Sequence, residues 1–298
     1  MKREGSRIGT GFVTALGTPL ADNGDLAADS FRREIEMQIA CGASGVFALG
    51  SMGMQCAVAN TAAVTAAETA AEAVGGRVPL LFGVMDNSVR RVRDRITAVS
   101  SISLDGIVVT TPFYFVSEED TLVSFFKKIC AESPFPVYLY DLPGVTKMKI
   151  TSDICEALFE EPNLAGIKTP DFDLALRLQK DGPSNWTVLY SNLDRFAEAW
   201  EAGIVRNLDG MFSCTPKSAG FAYSAFSAGD YDKGKKYLRS IISLRDLMAK
   251  YRILPSFTVL MNLLGCEGNF YPDYFIPVSD EAVADLKNKL IEMGELSK

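Results

Sequence analysis

A chain of 298 residues that contains no histidine has few groups able to move protons or attack carbonyl carbons. They are Lys, Tyr, Asp, Glu, Cys and the hydroxyls. Lys168 stands out among them. It ends the run Leu164-Ala165-Gly166-Ile167-Lys168, whose other members are apolar or small. A strand of that composition is buried, and burial disfavours an ammonium relative to the free amine. A free lysine amine is the nucleophile that condenses with a keto acid to give an imine. The ordinary alternative is a strand-end lysine whose charged head reaches back to water. Tyr140 ends a similar run, Pro136-Val137-Tyr138-Leu139-Tyr140, one predicted strand earlier. Pairing of the two strands would bring phenol and amine together, where the phenol can relay the protons of carbinolamine formation. Its ordinary alternative is an aromatic that fills the core.

The missing imidazoles exclude a Ser-His-Asp triad, a His-paired cysteine nucleophile and a His-ligated metal centre, so no metal is expected. The six cysteines (Cys41, Cys56, Cys130, Cys155, Cys214 and Cys266) are scattered without a C-x-x-C pair. They read as reduced, mostly buried thiols of a cytoplasmic protein rather than a disulfide frame. A net charge of −7 argues against nucleic acid as a partner. Residues 1–7 are polar and lack the apolar stretch of a signal peptide, and no later run is long enough to span a bilayer.

The elements that must hold Lys168 and Tyr140 recur with a regular spacing. Short aliphatic runs predict strands at 11–16, 45–50, 79–84, 106–111, 136–140, 165–168, 187–191 and 210–214. Nearly continuous apolar runs suit parallel strands covered on both faces. Between them lie helical patterns such as 29–40, 61–74, 88–102 and 118–131. Asp29-Ser30 and Ser117-Glu118-Glu119-Asp120 predict the starts of the first and fourth. The expected fold is α/β, a single (β/α)8 TIM barrel over about residues 8–228. A helical extension follows over about residues 229–298, with segments at 231–251, 255–264 and 279–293, all within one domain. In such a barrel the functional groups gather at the C-terminal ends of the strands.

The residues delivered there form an ordered set: Thr14–Pro19 with Gly24, Gly50-Ser51-Met52-Gly53, Thr111-Pro112-Phe113-Tyr114, Tyr140-Asp141-Leu142-Pro143, Gly166-Ile167-Lys168 and Asp209-Gly210-Met211-Phe212-Ser213. Together they resemble the pyruvate-dependent class I aldolase family that contains dihydrodipicolinate synthase and N-acetylneuraminate lyase. The likeness runs from about Thr10 to Cys214, and the helical tail fits the same architecture. It implies that Lys168 is the Schiff-base lysine and Tyr140 the proton-relaying tyrosine over the imine. It implies that Ser51 links Tyr140 to a second tyrosine, Tyr114, which reaches the neighbouring subunit's site across a tight dimer. The Ser51 and Met52 amides would grip the pyruvate carboxylate as an anion nest, with the Phe212 backbone lining the same pocket. No cofactor is implied beyond the covalent Lys168 imine, and the partners implied are a small keto acid and an aldehyde in a homo-oligomer, dimer or tetramer.

Several positions depart from the family pattern. Met52 replaces a hydroxyl residue, Met54 a glutamate and Asp141 an asparagine. Val145 stands where dihydrodipicolinate synthases carry an arginine for the second substrate's carboxylate, so bidentate recognition of that group is lost. The stretch 140–151 is closer to the sialic-acid lyase version of the motif. Asp194 matches an aspartate that binds sugar hydroxyls there, although Arg195 and Pro170 replace its companions and Cys214 a serine that contacts the sugar chain. The expectation is therefore a carbon–carbon lyase closer to N-acetylneuraminate lyase than to dihydrodipicolinate synthase at the second-substrate pocket. Dihydrodipicolinate synthesis, a catalytically inactive keto-acid-binding homologue, and a barrel whose lysine holds pyridoxal phosphate are the alternatives.

Overall fold

The computed structural model describes residues 7–297. Eight parallel strands close into a barrel in chain order. They are β1 (Gly11–Ala15), β2 (Gly45–Ala48), β3 (Leu80–Gly83), β4 (Gly106–Thr110), β5 (Val137–Tyr140), β6 (Leu164–Thr169), β7 (Thr187–Tyr190) and β8 (Arg206–Asp209). β8 returns to β1 with Gly11 opposite Arg206 and Thr14 opposite Asp209. The connecting helices are α1 (Ala28–Ala40), α2 (Asn60–Val74), α3 (Val89–Ala98), α4 (Glu119–Glu132), α5 (Pro143–Thr146), α6 (Ser152–Glu156), α7 (Phe172–Asp181) and α8 (Phe196–Glu201). After β8 come α9 (Met211–Cys214), α10 (Pro216–Ser227), α11 (Tyr231–Tyr251), α12 (Ile253–Leu263) and α13 (Asp280–Met293). No helix among the described residues is long and apolar enough to cross a membrane.

The two-residue period of a strand sorts the side chains into two cores. Val13, Ala15, Phe47, Leu81, Val108, Tyr138, Tyr140, Leu189 and Leu208 fill the lumen. Their neighbours Phe12, Val46, Ala48, Ile107, Val109, Val137, Leu139 and Ile167 face outward and pack with the helix layer. Both faces are dry, which is why the strands read as continuous apolar runs. With Ile167 turned out, Lys168 is turned in, on the side of Tyr140.

Two expectations need correction. The eighth strand lies at Arg206–Asp209, not 210–214, and Met211–Cys214 is a single helical turn. β8 is polar because its buried Asn207 is satisfied by the Tyr223 hydroxyl, which donates to its side-chain oxygen at 2.8 Å. The apolar Met-Phe-Ser-Cys run is held helical by Asp209 Oδ1, which accepts from the Met211 N–H at 2.8 Å. The starts of α1 and α4 also lack the side-chain caps expected of them; Asp29 and Asp120 lie inside the first turns instead. Caps of that kind are found at Ser88, Thr151, Asp171, Asp230 and Ser279.

Two buried carboxyls knit the barrel to its surroundings. Glu295, near the C-terminus, accepts from the Ser218 N–H at 2.7 Å and the Lys217 N–H at 3.1 Å, occupying free amides at the start of α10. Glu295→Ala leaves those amides unpaired, and a loss of roughly 1–3 kcal/mol is expected from the denaturant midpoint. Glu34 of α1 accepts from the Gly17 N–H at 2.8 Å and the Ser213 hydroxyl at 2.7 Å, tying the loop after β1 to α9. It is fully buried beside the Cys214 and Cys266 thiols, and burial pushes its carboxyl from 4.5 up to about 8. The unfolded chain releases this proton near 4.5 while the folded chain keeps it to about 8. Stability from this group is therefore complete below 4.5, falls as pH rises across that window, and levels off above it. Glu34→Gln keeps an acceptor and removes the titration. Melting temperatures of the variant should decline less than those of the wild type between the two ends of the window. Parallel curves would contradict this account.

Candidate active site

Lys168, one residue from the end of β6, and Tyr140, which ends β5, are register partners. Lys168 is only 5% exposed, and its Nζ lies 3.7 Å from the centroid of the Tyr140 ring, over its face. The Tyr140 hydroxyl is 3.2 Å from Ser51 Oγ, with either oxygen able to donate. Phe47 meets the Tyr140 ring edge-on at 6.3 Å, which fixes the phenol from the β2 side. These groups line a cavity of about 160 Å³ at the C-terminal mouth of the barrel, together with Met52, Ser191 and Asp209. A larger cavity, about 480 Å³, lies by α2 and α3. Of its two carboxylates, Asp86 is taken by Arg91 at 2.6 Å and Arg95 at 3.0 Å and Asp94 by Arg90 at 2.9 Å, and Lys168 and Tyr140 are not among its walls. The groups capable of carbonyl chemistry are in the smaller one.

The turn after β2 is strained. Leu49 and Met54 have φ of 54° and 53°, left-handed values that non-glycine residues seldom adopt. The Leu49 carbonyl is pressed against β3, where a Cβ on Gly83 would lie 1.8 Å from its oxygen. The turn's own bonds run from the Met54 N–H to Ser51 C=O and from the Gln55 N–H to Gly50 C=O, leaving the Ser51 and Met52 amides without a backbone acceptor among the described residues. Adjacent free amides at the mouth of a lysine-bearing cavity suit a carboxylate. The Met52 side chain lies over Gly210, where a Cβ would come within 2.8 Å of it.

The tops of β5 and β6 are locked from behind. The Asp141 N–H donates to Lys168 C=O at 2.8 Å. Its carboxylate, fully buried, accepts from the Thr169 hydroxyl at 2.9 Å and the Ile150 N–H at 3.0 Å. Burial raises this carboxyl above its ordinary range, with the two hydrogen bonds opposing. Gly166 permits the close approach of β7, since a Cβ there would sit 2.1 Å from the Thr187 carbonyl oxygen. The residues flanking Lys168 and Tyr140 thus hold them in one geometry.

Of the site residues expected from the sequence, the fold brings Lys168, Tyr140, Ser51 and Met52 together. Tyr114 is elsewhere within this chain: it lies on the loop after β4, 78% exposed, with Phe115 and Val116 similarly bare. Phe212 is on α9, its ring packed against Phe12 and Phe196, and Gly210 is the part of that segment that reaches the cavity. Asp194 is outside the cavity lining and paired with Arg245 at 2.7 Å, which holds its carboxyl below the usual range. Cys214 is fully buried, donates to Met211 C=O at 3.4 Å, and has a thiol pushed well up by burial. Met54 is buried, and Val145 is 61% exposed.

Two polar lining residues were given no role from the sequence. Ser191 follows β7, and Asp209 ends β8. Burial raises the Asp209 carboxyl, opposed by the Met211 N–H and by the charge of Lys168. The signal for Asp209 was a polar residue at a strand end, hidden because the strand was expected to begin one residue later.

Comparison with known proteins follows the same lines. Residues 9–292 match the model of the dihydrodipicolinate synthetase family. A 4-hydroxy-tetrahydrodipicolinate synthase of Exiguobacterium sp. is 26% identical over 293 residues, 96% of this chain and 99% of that protein. An uncharacterised DapA-like lyase of Halobacterium salinarum is 24% identical, covering 96% of this chain and 94% of that one. The crystal structure of dihydrodipicolinate synthase from Thermotoga maritima superposes with a TM-score of 0.88 at 24% identity, over 97% of this chain and 100% of that one. YagE, a prophage protein of the dihydrodipicolinic acid synthase family from E. coli K12 solved in complex with pyruvate, gives 0.87 at 21% identity, with 96% and 98% covered.

Proposed function

The chain belongs to the dihydrodipicolinate synthetase family, and on that footing we propose that it is a class I lyase whose Lys168 forms an imine with pyruvate or another 2-keto acid. The observation that carries this reading is the Lys168 amine seated over the Tyr140 ring, with the Tyr140 hydroxyl on Ser51, inside one small cavity. Lys168 Nζ adds to the ketone carbon, and loss of water leaves a protonated imine. In the cleavage direction the hydroxyl on C4 of the substrate loses its proton. The C3–C4 bonding pair then flows into the imine, and an aldehyde departs. The enamine left behind takes a proton at C3, and water returns the keto acid and the free amine. Condensation is the same sequence reversed. Tyr140 is the group placed to carry these protons, with Ser51 as its partner. The imine is itself the electron sink, so the chemistry calls for no resident cofactor.

For the second substrate, the reading closer to N-acetylneuraminate lyase is favoured by Val145, an exposed aliphatic side chain with no means of pairing with a carboxylate. The name of the Exiguobacterium relative favours 4-hydroxy-tetrahydrodipicolinate synthesis instead. Tyr114, Phe115 and Val116 form a bare apolar loop that supports a homo-oligomer.

The test is intact mass after borohydride treatment with pyruvate, on the wild type and on Lys168→Ala. Reduction fixes the imine, so the mass should rise by one reduced pyruvate in the wild type alone. A folded wild type without the adduct would return the chain to the binding-protein reading.

A further inference from the structure

Resting on that role for Lys168, we propose that Glu34 is a positioning residue for the keto-acid carboxylate, bracing the Ser51–Met52 turn from two sides through Gly17 and Ser213. The turn is strained at both ends, where Leu49 and Met54 are left-handed. It leans on the segment after β1. The Thr18 hydroxyl donates to Gly53 C=O at 2.8 Å, and a Cβ on Gly53 would lie 3.1 Å from the Leu16 carbonyl oxygen. It leans also on the segment after β8, where Gly210 is packed against the Met52 side chain. Glu34 Oε1 fastens both supports at once. It accepts from the Gly17 N–H, between Leu16 and Thr18, at 2.8 Å, and from the Ser213 hydroxyl, three residues beyond Gly210, at 2.7 Å. Glu34 itself lies on α1, outside the cavity wall, so it acts through these residues and not on the substrate.

The brace depends on the state of the carboxyl. Its second oxygen, Oε2, is buried with no hydrogen-bond partner among the described residues. The packing around the joint is apolar: a Cβ on Gly17 would lie 2.5 Å from the Phe270 ring and 2.7 Å from that of Phe257. The titratable groups that face Glu34 are the Cys214 thiol of α9 and the Cys266 thiol beyond α12, both pushed up by burial. Arg33, next along α1, sets its guanidinium against Gly265. Toward α2, Glu72 and Arg77 pair with Arg32 and Glu36 at the exposed face. While neutral, the Glu34 carboxyl offers one oxygen to two donors. Ionised, it puts charge on an oxygen that no donor meets, and relief comes only from water or from movement of the segments around it. Either slackens the hold on Gly17 and Ser213, and through them on the turn whose amides suit the keto-acid carboxylate. Burial keeps the proton on Glu34 up to about 8, so the brace is closed at neutral pH and opens above it.

The experiment follows exchange of the pyruvate C3 hydrogens for deuterium, which the enamine brings about with no aldehyde present, in the wild type, Glu34→Ala and Glu34→Gln. Alanine leaves the Gly17 N–H unpaired, so KM for pyruvate should rise by about tenfold while kcat stays nearly level. Glutamine keeps the accepting oxygen and cannot ionise, so its KM should stay close to that of the wild type at about pH 7. Between about pH 7 and about pH 9, KM should climb severalfold in the wild type but not in Glu34→Gln. Titrations of the other groups are common to both proteins and cancel in the ratio of their KM values. A folded Glu34→Ala with unchanged KM overturns the proposal, whatever its melting temperature, as does a ratio that is level across that range. If Glu34→Ala fails to fold, the ratio decides. A wild type that traps pyruvate with borohydride but gives either overturning result loses the positioning role alone. One that traps no pyruvate loses the role of Lys168 and that of Glu34 with it.

Discussion

Lys168→Ala is expected to cut kcat/KM for any 2-keto acid by on the order of 10⁴-fold or more, the scale seen when an enzyme loses its nucleophile. Its melting temperature should stay within a few degrees of the wild type. Two opposing consequences set that second expectation. The amine lies over the Tyr140 face, a contact that stabilises the fold when desolvated. It is also almost wholly buried, and removing a buried polar group relieves its desolvation cost. Steady-state turnover and a thermal melt on the same preparation separate the chemical role from the structural one. Undiminished turnover in a folded variant would remove Lys168 from the reaction.

Tyr140→Phe should lower kcat by roughly 10²- to 10⁴-fold, the span of general acid–base contributions. The ring that packs against Phe47 and beneath Lys168 stays, so the lumen is unchanged and only the hydroxyl on Ser51 is lost. The rate of imine trapping by borohydride should fall in step, because carbinolamine dehydration needs the same proton transfers. Ser51→Ala removes the partner but leaves the phenol in place, and a smaller loss follows. A kcat that survives Tyr140→Phe would assign the protons to the substrate's own carboxylate or to water.

The barrel was legible because its strands are buried on both faces and its helices are not. That contrast survives in the order of apolar runs and amphipathic stretches, and seven of the eight strands fall where those runs lie. β8 was misplaced because its polarity is a property of the tertiary structure. Asn207 is tolerable in a buried strand only once Tyr223, sixteen residues on, reaches back to it. The same misplacement of β8 left Asp209 just outside the expected strand. Lys168, Tyr140 and Ser51 were visible as polar groups closing apolar runs or turns, and strand pairing did the rest. The phenol over the amine was predictable from register, whereas the ion pair of Asp194 with Arg245 was not, since nothing local links positions 51 residues apart. Glu34 likewise reads as one more acidic residue on a polar helix until Gly17 and Ser213 close around it.

Tyr140 belongs both to the lumen packing and to the reactive pair. A descendant of this chain released from selection for turnover would therefore shed its reactive groups at unequal rates. The phenol ring would persist, because losing it would empty the middle of the barrel. The lysine, a buried polar group that the packing does not require, would be among the first to go. In such a lineage an intact tyrosine is a record of folding, and only the amine is a record of use.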